Sequence, residues 1–214
     1  MTNRRKVLTD IAAFLGRKNA SQGCDCAHPG PYADYLPNVV VYTHEGRKAL
    51  FYNDLLRNKV VMINCFSIES ESDYPVIENL VTVQRLLGEK VGRDIFMYSI
   101  TTDPERDTPR ALRAFAEKHG VKPGWLFLTG PPDTVHSLRA RLFANGGGHH
   151  EGAALVKDCS LGLIRYGNVS VGLWASCPVK TEPEWIVERI SWVEPRQRPA
   201  AHKRKGPFEG TNRS

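Results

Sequence analysis

The stretch from residue 91 to residue 130, VGRDIFMYSITTDPERDTPRALRAFAEKHGVKPGWLFLTG, decides the fold. Asp94–Ile100 is a β-rich run. Thr108 has the hydroxyl that caps a helix, and Pro109 suits the first turn, where its missing N–H costs nothing. Leu112, Phe115 and Ala116 fall on one helical face, and His119-Gly120 forms a stop signal. Trp125–Leu128 reads as another short strand. A strand, a crossover helix and a second strand give a parallel pair.

Working outward, Lys59–Phe66 (KVVMINCF) is almost wholly apolar, as in a strand buried on both faces. A polar loop, Ser67–Asp73, follows it. Pro75 then reads as a first-turn proline, Val76, Leu80, Val83 and Leu87 repeat at helical spacing, and Gly88 stops the helix. Upstream, Asn38–Tyr42 and Ala49–Tyr52 read as a hairpin turning at His44-Glu45-Gly46. Downstream, Val135, Leu138 and Leu142 mark a helix broken by Gly146-Gly147-Gly148. Leu161–Tyr166 reads as a strand turning at Gly167-Asn168. Glu184–Val193 reads as a last helix, begun by Pro183 and ended by Pro195. The pattern predicts an α/β sandwich with a central mixed sheet and an N-terminal β-hairpin. It divides the chain into an arm (1–34), a folded domain (35–194) and a basic disordered tail (195–214).

With 214 residues, 41% hydrophobic and 24% charged, the chain is neither collagen-like, coiled-coil nor fully disordered. No apolar run reaches the roughly 18 residues of a membrane-spanning helix. The formal charge of +6 is unevenly placed: residues 1–26 carry five bases against two acids, and residues 195–214 carry six against one. The centre is therefore slightly acidic. A nucleic-acid groove belongs to the fold itself, so specific nucleic-acid binding is not expected. The idea rests only on Lys203-Arg204-Lys205 and their neighbours; such tails stay solvated or touch anionic surfaces weakly. Arg4-Arg5-Lys6-Val7-Leu8 has the shape of a twin-arginine start. Its apolar continuation, Ile11–Gly16, is short and is closed by Arg17-Lys18, so it reads as a degenerate export signal or a short amphipathic arm.

In open α/β sheets, chemistry gathers at the carboxyl ends of strands, beside helix N-termini. The loop Ser67–Tyr74 is that place. The stretches FYNDLLRNKVVMIN (51–64), VGRDIFMYSITTDPERDTPRALRAFAEKHGVKPGWLFLTG (91–130) and LGLIRYGN (161–168) resemble the SCO/SenC family of thioredoxin-like copper chaperones. The resemblance spans residues 35–193. It implies a thioredoxin-like three-layer sandwich, a place in cytochrome c oxidase assembly and electron transport, and a location in the periplasm or cell envelope. It also implies a copper site built from a CxxxC followed by proline and from one distant histidine. Two thiolates and an imidazole suit both copper oxidation states.

Placed on KVVMIN and Pro75, the two cysteine positions fall on Ser70 and Tyr74. Placed on LGLIRYGN, the histidine position falls on Ser160; the looser spacing puts it on His149 or His150. A neutral serine hydroxyl is a weak, hard ligand, and a phenol near pKa 10 is mostly protonated at neutral pH. Neither performs thiol exchange. The reading is therefore a degenerate metal site in a non-enzymatic assembly or binding module, with a protein partner in respiratory or copper-enzyme assembly. Copper is implied by the resemblance alone.

The alternative is a copper-handling or redox protein that uses relocated residues: Cys159 and His149, with Cys24 and Cys26 brought by the arm. A peroxidase-like or thioredoxin-like enzyme lacks an attacking cysteine at the strand–helix junction. Cys65 reads as a core thiol. The acids of residues 69–73 read as a solvated loop whose last member, Asp73, caps the next helix. Asp103, Glu105 and Asp107 are expected to shape the loop before Thr108. Trp125 and Trp174 are expected in the core. His44, His119 and His136 are expected at the surface, with His119 helped by its helix C-terminus.

Overall fold

The computed structural model describes residues 36–143 and 159–195. The arm, most of the tail, Cys24, Cys26, His149 and His150 lie outside them. Seven strands, β1 (Val40–Thr43), β2 (Lys48–Leu50), β3 (Val60–Phe66), β4 (Ile95–Thr101), β5 (Trp125–Thr129), β6 (Leu163–Asn168) and β7 (Leu173–Pro178), form one mixed sheet in the order β2-β1-β5-β4-β3-β6-β7. The helices are α1 (Ile77–Leu87), α2 (Pro109–Lys118), α3 (Pro132–Phe143) and α4 (Pro183–Ser191).

β3, β4 and β5 are parallel neighbours, and β6 and β1 add antiparallel partners on either side. Because β3, β4 and β5 step in one direction, crossovers of one hand put α1 and α2 on the same face. Period-two alternation separates two cores. Val60, Met62, Phe66, Ile95, Met97, Trp125 and Phe127 pack against α1, α2 and α4. Val61, Ile63, Cys65, Tyr98, Ile100 and Leu128 face α3 and a helical turn at Phe51–Leu56. The result is the expected three-layer sandwich with a hairpin at one edge.

All seven residues of β3 are buried. Its one polar side chain, Asn64, joins a buried chain of hydrogen bonds: the Trp125 indole donates to Ser99 Oγ at 2.8 Å, and Ser99 donates to Asn64 Oδ1 at 2.7 Å. This fixes the register of the three parallel strands from inside the core.

Several local expectations change. Residues 51–56 form a helical turn rather than extending the hairpin, so that Phe51, Tyr52, Leu55 and Leu56 all bury their side chains in one core. Pro75 lies before α1, which starts at Ile77 with Val76 as its cap residue. Gly167-Asn168 is inside β6, not in the turn. Gly167 is needed there because a Cβ would stand 2.6 Å from the ring of Trp174 on β7. Trp174 itself is half-buried and packs on the core edge. Gly124, in the KPGW segment, has a positive φ of 93° and lies against Gly92, where a Cβ would meet the backbone at 2.5 Å.

Thr108 caps α2 as expected, accepting from Ala111 N, and Pro109 follows at the first helical position. No helix among the described residues is long and apolar enough to cross a membrane.

Replacing Ser99 with Ala strands the Trp125 N–H and the Asn64 carbonyl in the core. The expected loss of stability is about 1–3 kcal/mol. Denaturant unfolding at fixed pH measures it, and Ser99→Thr is expected to recover part of it if the added methyl is accommodated.

Candidate functional site

The carboxyl ends of β3 and β4 carry the polar residues that the buried strands exclude. From β3 the chain enters the loop Ser67–Tyr74, and from β4 the loop Thr102–Asp107. One buried carboxylate ties them together. Asp107 Oδ2 accepts from Thr101 Oγ1 at 2.5 Å and from the backbone N–H of Ile68 at 3.3 Å. Burial pushes its pKa upward, opposed by these two hydrogen bonds. Asp103 and Glu69 meet across the loops through the Arg106 guanidinium, which pairs with both. These residues shape and join the loops, as the sequence suggests for the DPE-x-D segment.

Ser70 is occupied within its own turn. Ser67 Oγ donates to Ser70 Oγ at 2.8 Å, Ser70 N donates to Ser67 Oγ at 3.1 Å, and the Ser70 carbonyl accepts from Tyr74 N at 2.8 Å. Ser70 and Tyr74 are thus one turn apart. The Tyr74 ring packs against the helical-face core, with Lys180 Nζ 3.7 Å from its centre. Its hydroxyl is 3.7 Å from where a Cβ on Gly162 would stand. Gly162 ends the 3₁₀ turn Cys159–Gly162, which contains Ser160. The fold therefore brings the Ser70–Tyr74 turn beside the backbone turn of Ser160 and Cys159.

Between Ser70 and Tyr74 lies the residue that sequence reasoning missed. Glu71, not Asp73, holds the start of α1: its Oε1 accepts from Val76 N at 2.8 Å and from Ile77 N at 2.6 Å. Glu71 is only 8% exposed, and its Oε2 is buried with no hydrogen-bond partner among the described residues. Burial raises its pKa to about 7, against the opposing pull of the helix N–H groups. Asp73 instead accepts from Ser72 Oγ at 3.4 Å. The sequence offered acids at 69, 71 and 73, and only burial selects the middle one.

Two histidines also depart from expectation. His44 is half-buried and accepts from Phe127 N at Nδ1, 3.1 Å; burial lowers its pKa. His119 caps α2 at its C-terminus and stacks on Phe115 at 4.3 Å between centroids, and burial and Lys118 lower its pKa rather than raise it.

The turn after β3 offers the Ser70 hydroxyl, already bonded, and the Tyr74 phenol, with the Glu71 carboxyl between them. These are hard oxygen donors, whereas Cu(I) prefers sulfur and imidazole. They do not fit copper. The described thiols cannot substitute here, because Cys65 and Cys177 are buried on opposite faces of the sheet. Burial pushes the Cys177 thiol up to about 11, so it is not a thiolate at neutral pH. No group of three or more His, Cys, Asp or Glu side chains suited to a metal occurs among the described residues.

The sheet order, the two-sided helix cover and the strand–loop–helix site define a thioredoxin-like α/β domain. The SCO1/SenC family model matches residues 75–152, so the resemblance to SCO1/SenC read from the sequence stands. The matched range begins directly after Tyr74 and stops short of Ser160. No curated protein matches the chain. The fold is shared with a SCO1/SenC family lipoprotein from Bacillus anthracis (17% identity, 74% of this chain and 94% of that one, TM-score 0.55). It is shared with yeast Sco1 with copper bound (20%, 77% and 94%, 0.52). It is also shared with BsSco, described as a member of the Sco family of cytochrome c oxidase assembly proteins (18%, 72% and 90%, 0.56). At these identities the likeness is one of fold.

A carboxyl whose pKa is raised on folding adds a cost that is absent below about pH 4.5, grows between pH 4.5 and 7, and is complete above 7. Glu71→Gln keeps an oxygen acceptor for α1 and removes the titration. Its stability is expected to vary less than that of the parent across this window. Glu71→Ala, which loses the cap, is expected to be less stable by about 1 kcal/mol. Unfolding midpoints at pH 4.5, 6 and 8, values set by that window, check both.

Proposed function

We propose that this chain is an SCO1/SenC-like assembly or binding module of the periplasm or cell envelope that works by protein contact in cytochrome c oxidase assembly. It neither holds copper at the family positions nor exchanges thiols. The oxidase-assembly role comes from the SCO1/SenC match and from BsSco, and the copper connection from yeast Sco1.

The observation that carries the reading is the chemistry of the turn between β3 and α1. Ser70 Oγ is engaged by Ser67, Tyr74 is packed under Lys180, and one oxygen of the Glu71 carboxyl holds the helix start. These three side chains of the turn thus have structural tasks. A thiol-exchange site needs a low-pKa cysteine at this helix N-terminus, and a carboxyl occupies the N–H groups that would stabilise a thiolate. The loops remain an ordered, charged surface: Glu69, Asp103 and Arg106 are paired at the exposed end of the sheet. Such a surface is suited to recognition rather than to electron or metal transfer.

Titration of the full chain with Cu(I) against a competing chelator tests the proposal. No tight site is expected, and replacing Ser70 and Tyr74 by Cys is expected to increase copper retention. One tight copper per chain in the parent overturns it. If that copper is lost on replacing Cys24, Cys26 and Cys159 by Ser, the relocated Cys/His reading takes its place.

A further inference from the structure

The exposed apolar side chains are collected at one end of the domain. Of five large ones that stand exposed among the described residues, Leu86, Val171, Leu173 and Trp192 lie at the amino end of β3, opposite the loop Ser67–Tyr74. The topology places them there. α1 runs back along β3, so Leu86 in its last turn reaches that end. β6 is antiparallel to β3, with Asn168 opposite Val60, so Val171 in the β6–β7 turn and Leu173 at the start of β7 lie at the same end. α4 runs the same way as α1, and Asn168 Nδ2 donates to the Val193 carbonyl at 3.1 Å, which fixes Trp192 close to that turn.

These are not marginal exposures. Val171 is 67% exposed, Trp192 60% and Leu173 49%. The Arg189 guanidinium lies 4.0 Å from the Trp192 ring and 4.3 Å from the Trp185 ring, giving a cationic and aromatic edge. A cleft of about 500 Å³ opens at this end too, lined by Val81, Val91 and Pro123 together with Arg85, Glu89 and Lys122. Lys90 pairs with Glu194 there and Arg93 with Asp94, which leaves Arg85, Lys122 and Arg189 against Glu89. The sequence past residue 195 adds to this excess, with six bases, one acid and Phe208.

We propose that this end is a docking surface for an anionic phospholipid bilayer, in which Trp192, Val171 and Leu173 enter the interface beside Arg85, Lys122 and Arg189, and the positive charge of residues 196–214 adds to the attraction. A tryptophan with one cationic neighbour suits the headgroup level, and exposed aliphatic residues at and beside a turn can enter the acyl boundary. Basic residues near an anionic leaflet are attracted additively and are screened by salt. A nucleic acid offers the charge but no apolar phase, so Val171 and Leu173 have no role on it. Docked in this way, the domain holds the Ser67–Tyr74 loop away from the bilayer by about the length of β3, on the order of 20 Å.

Sedimentation of the full chain with vesicles is the test. It compares phosphatidylcholine alone, phosphatidylcholine with phosphatidylglycerol, and binding to duplex DNA at the same ionic strength. Binding is expected to the phosphatidylglycerol vesicles, not to phosphatidylcholine alone, and to weaken with salt. Deleting residues 196–214 and the triple change W192S/V171S/L173S are each expected to weaken it by about tenfold or more. Circular dichroism checks the fold, and V171S alone, in the exposed β6–β7 turn, serves if the triple variant does not fold. The proposal is overturned if phosphatidylglycerol vesicles do not bind. It is also overturned if the apolar substitutions leave binding unchanged, which marks a tail that acts on any polyanion, DNA included.

Discussion

β3 is buried along its whole length on both faces, and that constraint organises the molecule. A strand of this kind must satisfy its backbone through neighbours on both edges, which β4 and β6 provide. It must also send its polar successors to one end. The chain after Phe66 is therefore polar at once, and the residues that meet there come from two loops and one 3₁₀ turn. The single polar side chain inside the strand, Asn64, is tolerated because Ser99 and Trp125 complete its bonds.

Much of this was legible in the sequence. The apolar run 59–66, the Thr108-Pro109 helix start and the two-residue alternation of the strands follow from local chemistry, and the structure keeps them. Differences arise where a residue's task depends on something distant. Phe51, Tyr52, Leu55 and Leu56 are apolar at spacings that suit a strand or a turn; only the open face of the sheet, covered from below by this segment, decides for the turn. Gly167 resembles a turn glycine until Trp174 is seen against it. His44 resembles a surface histidine until its ring nitrogen meets the β5 backbone, 83 residues away in sequence.

The candidate site divides in the same manner. Its position at the end of the first buried strand was readable from residues 67–75. The choice of Glu71 over Glu69 and Asp73 was not, because alternate acids in a polar loop have no sequence feature that marks which one turns inward. A thiol pair at this junction would depend on the helix N-terminus to favour the charged form. Here the same N–H groups are bound by a carboxyl, so this helix end anchors the loop before it.

Asp107 has the longest reach of the groups at this end. One oxygen holds both the hydroxyl of β4 and the backbone of Ile68, so the β3–α1 loop and the β4–α2 loop share a buried fastening beneath the exposed Arg106 bridge. Segments fastened in this way do not move independently. A partner that grips the Asp103–Arg106 corner would pull on the first residues after β3, and one that grips the Ser67–Tyr74 turn would pull on the corner. The two loops thus form one contact unit, in which a touch on either is transmitted mechanically to the other.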